Sequence, residues 1–181
     1  MPVNDHRTTR QILIVDDIED NCVLIEDHLR RKLKCEFRKA SSGKEALKIL
    51  DNWRPDCILM DIMMPEMDGI EATKRIKMIP VCHDIPVLMV TAKQEMKSFE
   101  DAFDAGAVDY IYKPIDRTTL VARVKSALRS KEDIDRIKEL NQELFQKKEE
   151  LSNFSHPVSH DLKSPIVGAA SLYDLFLYRI K

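Results

Sequence analysis

Short apolar runs alternate along this chain with longer segments in which apolar residues recur every three or four positions. Four of the runs are apolar on both strand faces, as strands buried in a parallel sheet are: residues 11–16, 57–61, 85–92 and 109–114. Residues 35–40 alternate and are more polar, which predicts an edge strand. The helical segments are 20–33, 43–52, 68–79 and 95–105. This alternation predicts an α/β fold with a doubly wound, five-stranded parallel sheet.

The pattern changes after Pro114. From Asp116 to about Leu151 there is neither Gly nor Pro, and the second half of this stretch is rich in charge. A single heptad column recurs every seven residues: Ile137, Leu144, Leu151 and Val158. The companion column is imperfect in either frame, because Lys147 interrupts Leu140 and Phe154, while Asn141 and Lys148 follow Ile134. We predict a long helix that forms a modest coiled coil, with a solvated single helix as the alternative.

Polar residues collect where the predicted strands end. Asp16 and Asp17 end the first run, Asp61 the third, Thr91 the fourth and Lys113 the fifth. The carboxyl ends of parallel strands meet at one edge of a sheet, where such folds bind ligands. Converging carboxylates repel one another unless a cation joins them, and oxygen ligands select a hard ion such as Mg²⁺. A lysine and a hydroxyl opposite the metal suit a phosphoryl group, and a carboxylate can itself be the nucleophile.

Composition narrows the choice of partners and compartment. The formal net charge is −2 over 181 residues, which favours neither nucleic acid nor an anionic membrane. No apolar run is long enough to span a bilayer, so we expect no membrane insertion. The first ten residues have no apolar signal core, so we expect a cytoplasmic protein. The four cysteines are scattered without a CxxC pair, which favours free thiols over disulfides or zinc ligands.

The stretches ILIVDDIEDN, ILMDIMMPEMDG, VTA and DYIYKP together resemble the receiver domain of bacterial response regulators over about residues 10–130. The resemblance implies that Asp61 is the phosphoacceptor and that Thr91 and Lys113 hold the phosphoryl group. It also implies a metal site made by Asp16, Asp17, Asp61 and the Met63 carbonyl. Two further features follow from it: Tyr110 as an aromatic switch and a cis peptide bond between Lys113 and Pro114.

A second resemblance lies near the end of the sequence. The stretch FSHPVSHDLKSPI is similar to the first helix of a histidine kinase dimerisation and phosphotransfer domain. By that resemblance His160 is a phosphoacceptor and Asp161 holds the proton of its other ring nitrogen. Pro157 departs from the pattern, and we expect the helix to kink or restart near residues 153–155. His156 precedes that proline and is interpreted as a surface residue.

These features predict three segments: a receiver over 1–128 with an ordered core from about 10, a coiled-coil signalling helix over 129–153, and a truncated histidine phosphoacceptor helix over 154–181. The chain resembles the front of a longer ATP-dependent protein-histidine kinase without its ATP-binding domain, although a naturally short protein remains an alternative. The apolar stretch IVGAASLYDLFLYRI predicts a homodimer.

Two functions fit the sequence. In the first, a cognate histidine kinase or phosphotransfer protein phosphorylates Asp61, and the receiver regulates a histidine kinase module through the dimeric coil. In the second, the protein is a relay or sink that exchanges phosphate between His160 and Asp61. A transcription factor is a poor third, because no DNA-binding motif or basic face follows the receiver.

Overall fold

The computed structural model describes residues 9–92 and 99–178, and it describes side chains for residues 9–92 and 100–152. A parallel sheet with the strand order β2-β1-β3-β4-β5 forms the centre of the first part. Its strands are β1 (Arg10–Val15), β2 (Cys35–Ala40), β3 (Cys57–Asp61), β4 (Val87–Ala92) and β5 (Asp109–Lys113). The predicted doubly wound sheet is therefore confirmed, with the polar β2 at one edge.

Five helices follow the strands in turn. They are α1 (Glu19–Arg30), α2 (Gly43–Asn52), α3 (Gly69–Met78), α4 (Phe99–Asp104) and α5 (Arg117–Tyr178). The starts of α2 and α3 are capped, because the side chains of Ser42 and Asp68 accept hydrogen bonds from backbone N–H groups one turn on. The sequence pattern did not predict the short 3₁₀ turn at Pro80–Cys82 between α3 and β4.

Successive strand residues supply two separate apolar cores, one on each face of the sheet. Leu13, Val15 and Ile58 belong to one core, which α2 and α3 cover. Ile12, Ile14 and their neighbours belong to the other, which α1 and the first part of α5 cover. Because side chains alternate across a strand, a run that is apolar at every position must be covered on both faces. The buried strands therefore extend as far as their apolar runs, and polar residues follow at the carboxyl edge of the sheet.

The chain divides into two compact units, Met1–Ile134 and Asp135–Lys181. In the second unit α5 continues without a break to Tyr178, so the helix does not restart near residues 153–155 as the sequence allowed. The alternative of a kink at that point stays a prediction. Every side chain from residue 136 to residue 152 is exposed. Among the helices that the structure describes, none combines the length and apolar character needed to cross a membrane.

All four cysteines are free thiols, as expected. Cys22, Cys57 and Cys82 are buried, and Cys35 is half-buried. Burial raises the pKa of Cys22 and of Cys35 to about 11. These thiols are therefore protonated at neutral pH and act as small apolar side chains of the fold.

Candidate functional site

Three carboxylates converge at the carboxyl edge of the sheet. Asp16 directly follows β1, Asp61 is the last residue of β3, and the two strands pair in parallel with Val15 opposite Met60. Asp17 comes next along the chain. Each of the three side chains offers an oxygen atom, and these oxygens lie within 4.8 Å of one another. Asp16 and Asp61 are buried while Asp17 is exposed, so the cluster opens to solvent on one side.

The carboxylate of Asp16 is fixed by neutral donors. Its Oδ1 accepts a hydrogen bond from the Ile18 backbone N–H at 2.9 Å. The side-chain amide of Asn21 donates to both of its oxygens, at 2.9 and 3.0 Å. Asn21 lies in the first turn and a half of α1, so the start of this helix orients the buried acid. Asn21 belongs to the stretch ILIVDDIEDN, but its role beside Asp16 was not predicted from the sequence.

Lys113 supplies the positive charge of the site. Its Nζ lies 3.1 Å from Oδ2 of Asp16 and 3.0 Å from Oδ2 of Asp61, and so bridges the two buried acids. Burial raises the pKa of Asp61, and the ion pair with Lys113 offsets part of that effect. Burial alone would lower the pKa of Lys113, but hydrogen bonds and charge from Asp61 and Asp16 raise it overall. Lys113 therefore stays charged and holds Asp61 in place.

The donor set fits a hard divalent cation. A single ammonium group balances only one of three carboxylate charges, and the three oxygens are close enough to share one ion. The exposed Asp17 gives such an ion a route from solvent. Met63, two residues after Asp61, has an exposed side chain, and hydrogen bonding from its backbone lowers the pKa of the Asp61 carboxyl group a little against the effect of burial. The role of the Met63 carbonyl as a metal ligand stays a prediction.

Thr91 and Lys113 lie at the ends of neighbouring strands. In the register of the sheet Asp61 pairs with Val90, so Thr91 is one residue further toward the polar edge. Lys113 pairs with Ala92 on the next strand. The Thr91 side chain is buried, and its hydroxyl lies 3.2 Å from the Ala92 carbonyl oxygen. The peptide bond between Lys113 and Pro114 is cis, as the resemblance implied.

Tyr110, the predicted switch, is half-buried on β5. Its ring meets the rings of Phe103 and Tyr112 edge to face, with centroids 6.4 and 5.0 Å apart. The guanidinium of Arg123, on α5, lies 5.3 Å from the centre of the Tyr110 ring and also binds the Asp109 carboxylate. Arg123 was not predicted as part of this cluster, because an arginine on an amphipathic helix gives no sequence signal of its contacts with the preceding strand.

Gly69, the first residue of α3, is a second missed residue of the site. A Cβ atom at this position would lie 2.1 Å from the backbone oxygen of Asp61. Its N–H donates to the Ile62 carbonyl at 2.9 Å. The glycine therefore lets α3 begin directly against the backbone of Asp61. Its presence in the motif DG was the available signal, but sequence alone does not reveal this close approach.

The predicted histidine site cannot be assembled in the same way. The positions of His160 and Asp161 lie within α5. Their side chains, like those of His156 and Pro157, lie outside the described residues. The roles assigned to His160 and Asp161 therefore stay predictions from sequence.

Comparison with known proteins assigns the first unit. Residues 12–125 match the family model of the response regulator receiver domain. The chain belongs to this family. Receiver domains of this kind act in two-component signalling and bind Mg²⁺ through an acidic pocket, which the cluster of Asp16, Asp17 and Asp61 provides here. The matched residues form the sheet and its flanking helices, and they all lie within the first unit.

Several relatives share this receiver. Response regulator PleD of Caulobacter vibrioides is 39% identical over 132 residues, which cover 71% of this chain and 28% of PleD. Transcriptional regulatory protein SrrA of Staphylococcus aureus is 38% identical over 128 residues, covering 67% of this chain and 48% of SrrA. The chain thus spans less than half the length of either relative.

Among solved structures, the signal receiver domain of a signal transduction histidine kinase from Syntrophus aciditrophicus superimposes with a TM-score of 0.62 at 30% identity. The match covers 67% of this chain and 91% of that domain. The shared region is again the receiver.

Proposed function

We propose that Asp61 accepts a phosphoryl group in a Mg²⁺-dependent reaction. The observation that carries this proposal is the bridge of Lys113 between two buried carboxylates, with a third carboxylate oxygen within 4.8 Å. Such a site has excess negative charge that a divalent cation would balance. It also has a positive group that would remain beside an incoming phosphate.

The chemistry needs few protein groups. An oxygen of the Asp61 carboxylate attacks the phosphorus of a phosphohistidine or of a small acyl phosphate. The new P–O bond forms as the bond to the donor breaks, and the donor leaves with that electron pair. Lys113 contacts the transferred oxygens, and the hydroxyl of Thr91 donates to one of them. Bound Mg²⁺ would neutralise the charge on phosphate and carboxylates.

A direct test uses the chain, Mg²⁺ and a small acyl-phosphate donor, with intact mass and peptide mapping as readouts. We expect the gain of one phosphoryl group on Asp61. Asp61→Asn should gain none, while Asp56→Asn, an acid just before the start of β3, should react like the unsubstituted chain. Labelling at a site other than Asp61, or no labelling of the unsubstituted chain, would contradict the proposal.

As output, we propose that the receiver regulates a histidine kinase module through a dimeric coiled coil. Residues 1–128 would be the receiver, 129–153 the signalling helix and 154–181 the histidine phosphoacceptor helix. Support comes from the direct continuation of α5 beyond the receiver core and from the solved receiver of a histidine kinase. A donor kinase or phosphotransfer protein would be the input partner. Asp61→Asn should abolish control of the downstream kinase, and unchanged control would argue against this output.

A second candidate is a phosphate relay between His160 and Asp61, favoured by the sequence around His160. In that reaction the P–N bond to the imidazole breaks as the P–O bond to Asp61 forms. Phosphorylating His160 with a separate kinase and following label transfer tests it. Transfer that is lost in Asp61→Asn supports the relay, and stable phosphohistidine in the unsubstituted chain contradicts it.

The homodimer is part of the same proposal. Large apolar side chains on α5 are exposed, among them Ile137, Leu144 and Leu151. Exposed apolar residues at heptad spacing are typical of a helix that pairs with another chain. Light scattering at micromolar concentration should give the mass of a dimer, and a monomer would contradict it.

A further inference from the structure

The exposed face of α5 carries enough detail to define how two copies pair. Over residues 134–151 six large apolar side chains are exposed: Ile134, Ile137, Leu140, Leu144, Phe145 and Leu151. Phe145 is 63% exposed and Leu151 is 72% exposed, so these side chains lack a cover within the described chain. Two heptad frames contain the column of Ile137, Leu144 and Leu151, and they place the other residues differently.

The first frame puts Ile137 at a heptad a position and Leu140 at d. Lys147 then falls in the core, and Phe145 falls at b, which faces away from a partner helix. The second frame puts Ile137 at d and Ile134 at a. Asn141 and Lys148 then occupy the next two a positions, while Leu140 and Phe145 flank the core at g and e.

The second frame accounts for more of the exposed surface. It brings all six apolar residues to core or flanking positions, whereas the first leaves Phe145 in water. Each frame allows one type of ion pair between side chains of the two copies. In the second frame it joins Asp133 to Lys138, and in the first frame it joins Glu143 to Lys148. Charge therefore does not distinguish the two frames. The second frame also pairs Leu140 with Phe145 of the other copy.

In the second frame, Asn141 favours a parallel, in-register pair of helices. In a parallel, in-register pair the two copies of a central a residue face each other, and two asparagine amides can hydrogen-bond. A staggered or antiparallel pair would bury each amide against apolar side chains without this partner. Lys148 at a can extend its ammonium group to solvent along the helix.

We propose that a second copy of this chain pairs with α5 in parallel and in register, with Ile134, Asn141 and Lys148 at a and Ile137, Leu144 and Leu151 at d. This register rests on the homodimer of the proposed function and specifies its contacts. The partner is thus another copy of this chain, recognised by an apolar strip with a central asparagine.

Cysteine cross-linking of the full chain tests the register. We compare Asn141→Cys, Leu140→Cys and Gln142→Cys under mild oxidation, since position 142 faces outward in both frames. The unsubstituted chain measures the background from the native cysteines, which are buried or half-buried. We expect Asn141→Cys to form disulfide-linked dimer at least about fivefold faster than either other variant, because residues at a approach within disulfide range.

The other outcomes are distinct. Faster linking of Leu140→Cys would establish the first frame and overturn this register while leaving the dimer intact. Equal background linking in a chain that is dimeric by sedimentation would show that other residues form the dimer, which also overturns the register. A chain that stays monomeric in sedimentation would refute the dimer itself.

A second measurement does not depend on introduced thiols. Phe145→Ala should raise the dimer dissociation constant about tenfold, because the second frame buries this ring, while Gln146→Ala should change it little. An unchanged dissociation constant for Phe145→Ala would favour the first frame.

Discussion

The receiver and the long helix use their residues in opposite ways. In the receiver, charge is buried: Asp16 and Asp61 lie inside, and Lys113 neutralises part of their charge. In the helix, apolar surface is exposed: Leu144 and Leu151 have no cover within the described chain. Buried carboxylates are stable only beside a cation, and so they indicate a metal-binding and reactive site. Exposed leucines are stable only when another surface covers them, and so they indicate an interface with a second chain.

The largest predicted difference compares two leucines. Leu59 is fully buried in β3. Leu59→Ala should lower the free energy of unfolding of the receiver by about 2–5 kcal/mol, because the substitution leaves a cavity. Leu144→Ala should leave receiver stability nearly unchanged and weaken the dimer instead. Denaturant unfolding and sedimentation on both variants measure the two effects. Loss of receiver stability in Leu144→Ala would break the contrast.

A second prediction concerns the counter-charge of the acidic site. Lys113→Met should lower stability without Mg²⁺ by about 1–3 kcal/mol, because it leaves two buried carboxylates without their cation. Added Mg²⁺ should stabilise the variant more than the unsubstituted chain, since the metal then balances more negative charge. Thermal unfolding with and without Mg²⁺ checks this. Equal stabilisation of both proteins would contradict the shared site.

A third prediction sharpens the role of the site's backbone. Gly69→Ala should lower the free energy of unfolding by about 1–3 kcal/mol, because the added Cβ would collide with the backbone oxygen of Asp61. Gly43→Ala is the matched control at the start of α2, where the tight contacts are with side chains of Ala72 and Met67. Unfolding in denaturant should rank Gly69→Ala as the more damaging change. The reverse order would mean that α3 shifts easily.

The smallest effect is a surface ion pair of the receiver. Hydrogen bonding from Lys39 lowers the pKa of Glu26 below its usual 4.5, with Arg30 adding to the effect. A lowered folded pKa means that this stabilisation is complete above pH 4.5 and is lost as the pH falls through the folded pKa. Glu26→Gln should therefore be destabilised by about 0.5 kcal/mol at pH 7, and the difference should shrink in acid.

Chemical denaturation of this variant at pH 7 and at pH 3 measures that change. Glu149→Gln, on the exposed part of α5, is the control for loss of one negative charge. A difference between Glu26→Gln and the unsubstituted chain that is the same at both pH values would show that the ion pair contributes no stability.

Sequence patterns predicted the parts of this molecule that depend on local order. Runs apolar at every position identified the buried strands, and their ends located Asp16, Asp61 and Lys113. Contacts between distant residues were beyond reach, because nothing near Arg123 signals its position over Tyr110. The close approach of Gly69 to Asp61 and the amide of Asn21 on Asp16 likewise depend on how α3 and α1 pack.

For α5, the sequence predicted the helical stretch over residues 116–151 but not the continuation of the helix past Pro157. The absence of Gly and Pro over residues 116–151 predicted its length in that stretch. A proline in a helix removes one hydrogen bond but need not end the helix, and α5 runs through Pro157 to Tyr178. The restart that Pro157 suggested therefore does not occur, while the predicted kink stays a prediction.

The Mg²⁺ dependence of phosphorylation, compared between the unsubstituted chain and Asp17→Asn, tests whether the three acids form one metal site with Asp61. Asp17 is the exposed member of the acidic cluster, so its replacement should leave the fold intact. If the three carboxylates hold one ion, Asp17→Asn should need at least about tenfold more Mg²⁺ to reach half of its maximal phosphorylation rate. Superimposable Mg²⁺ curves for the two proteins would contradict the claim that these acids form one site with Asp61.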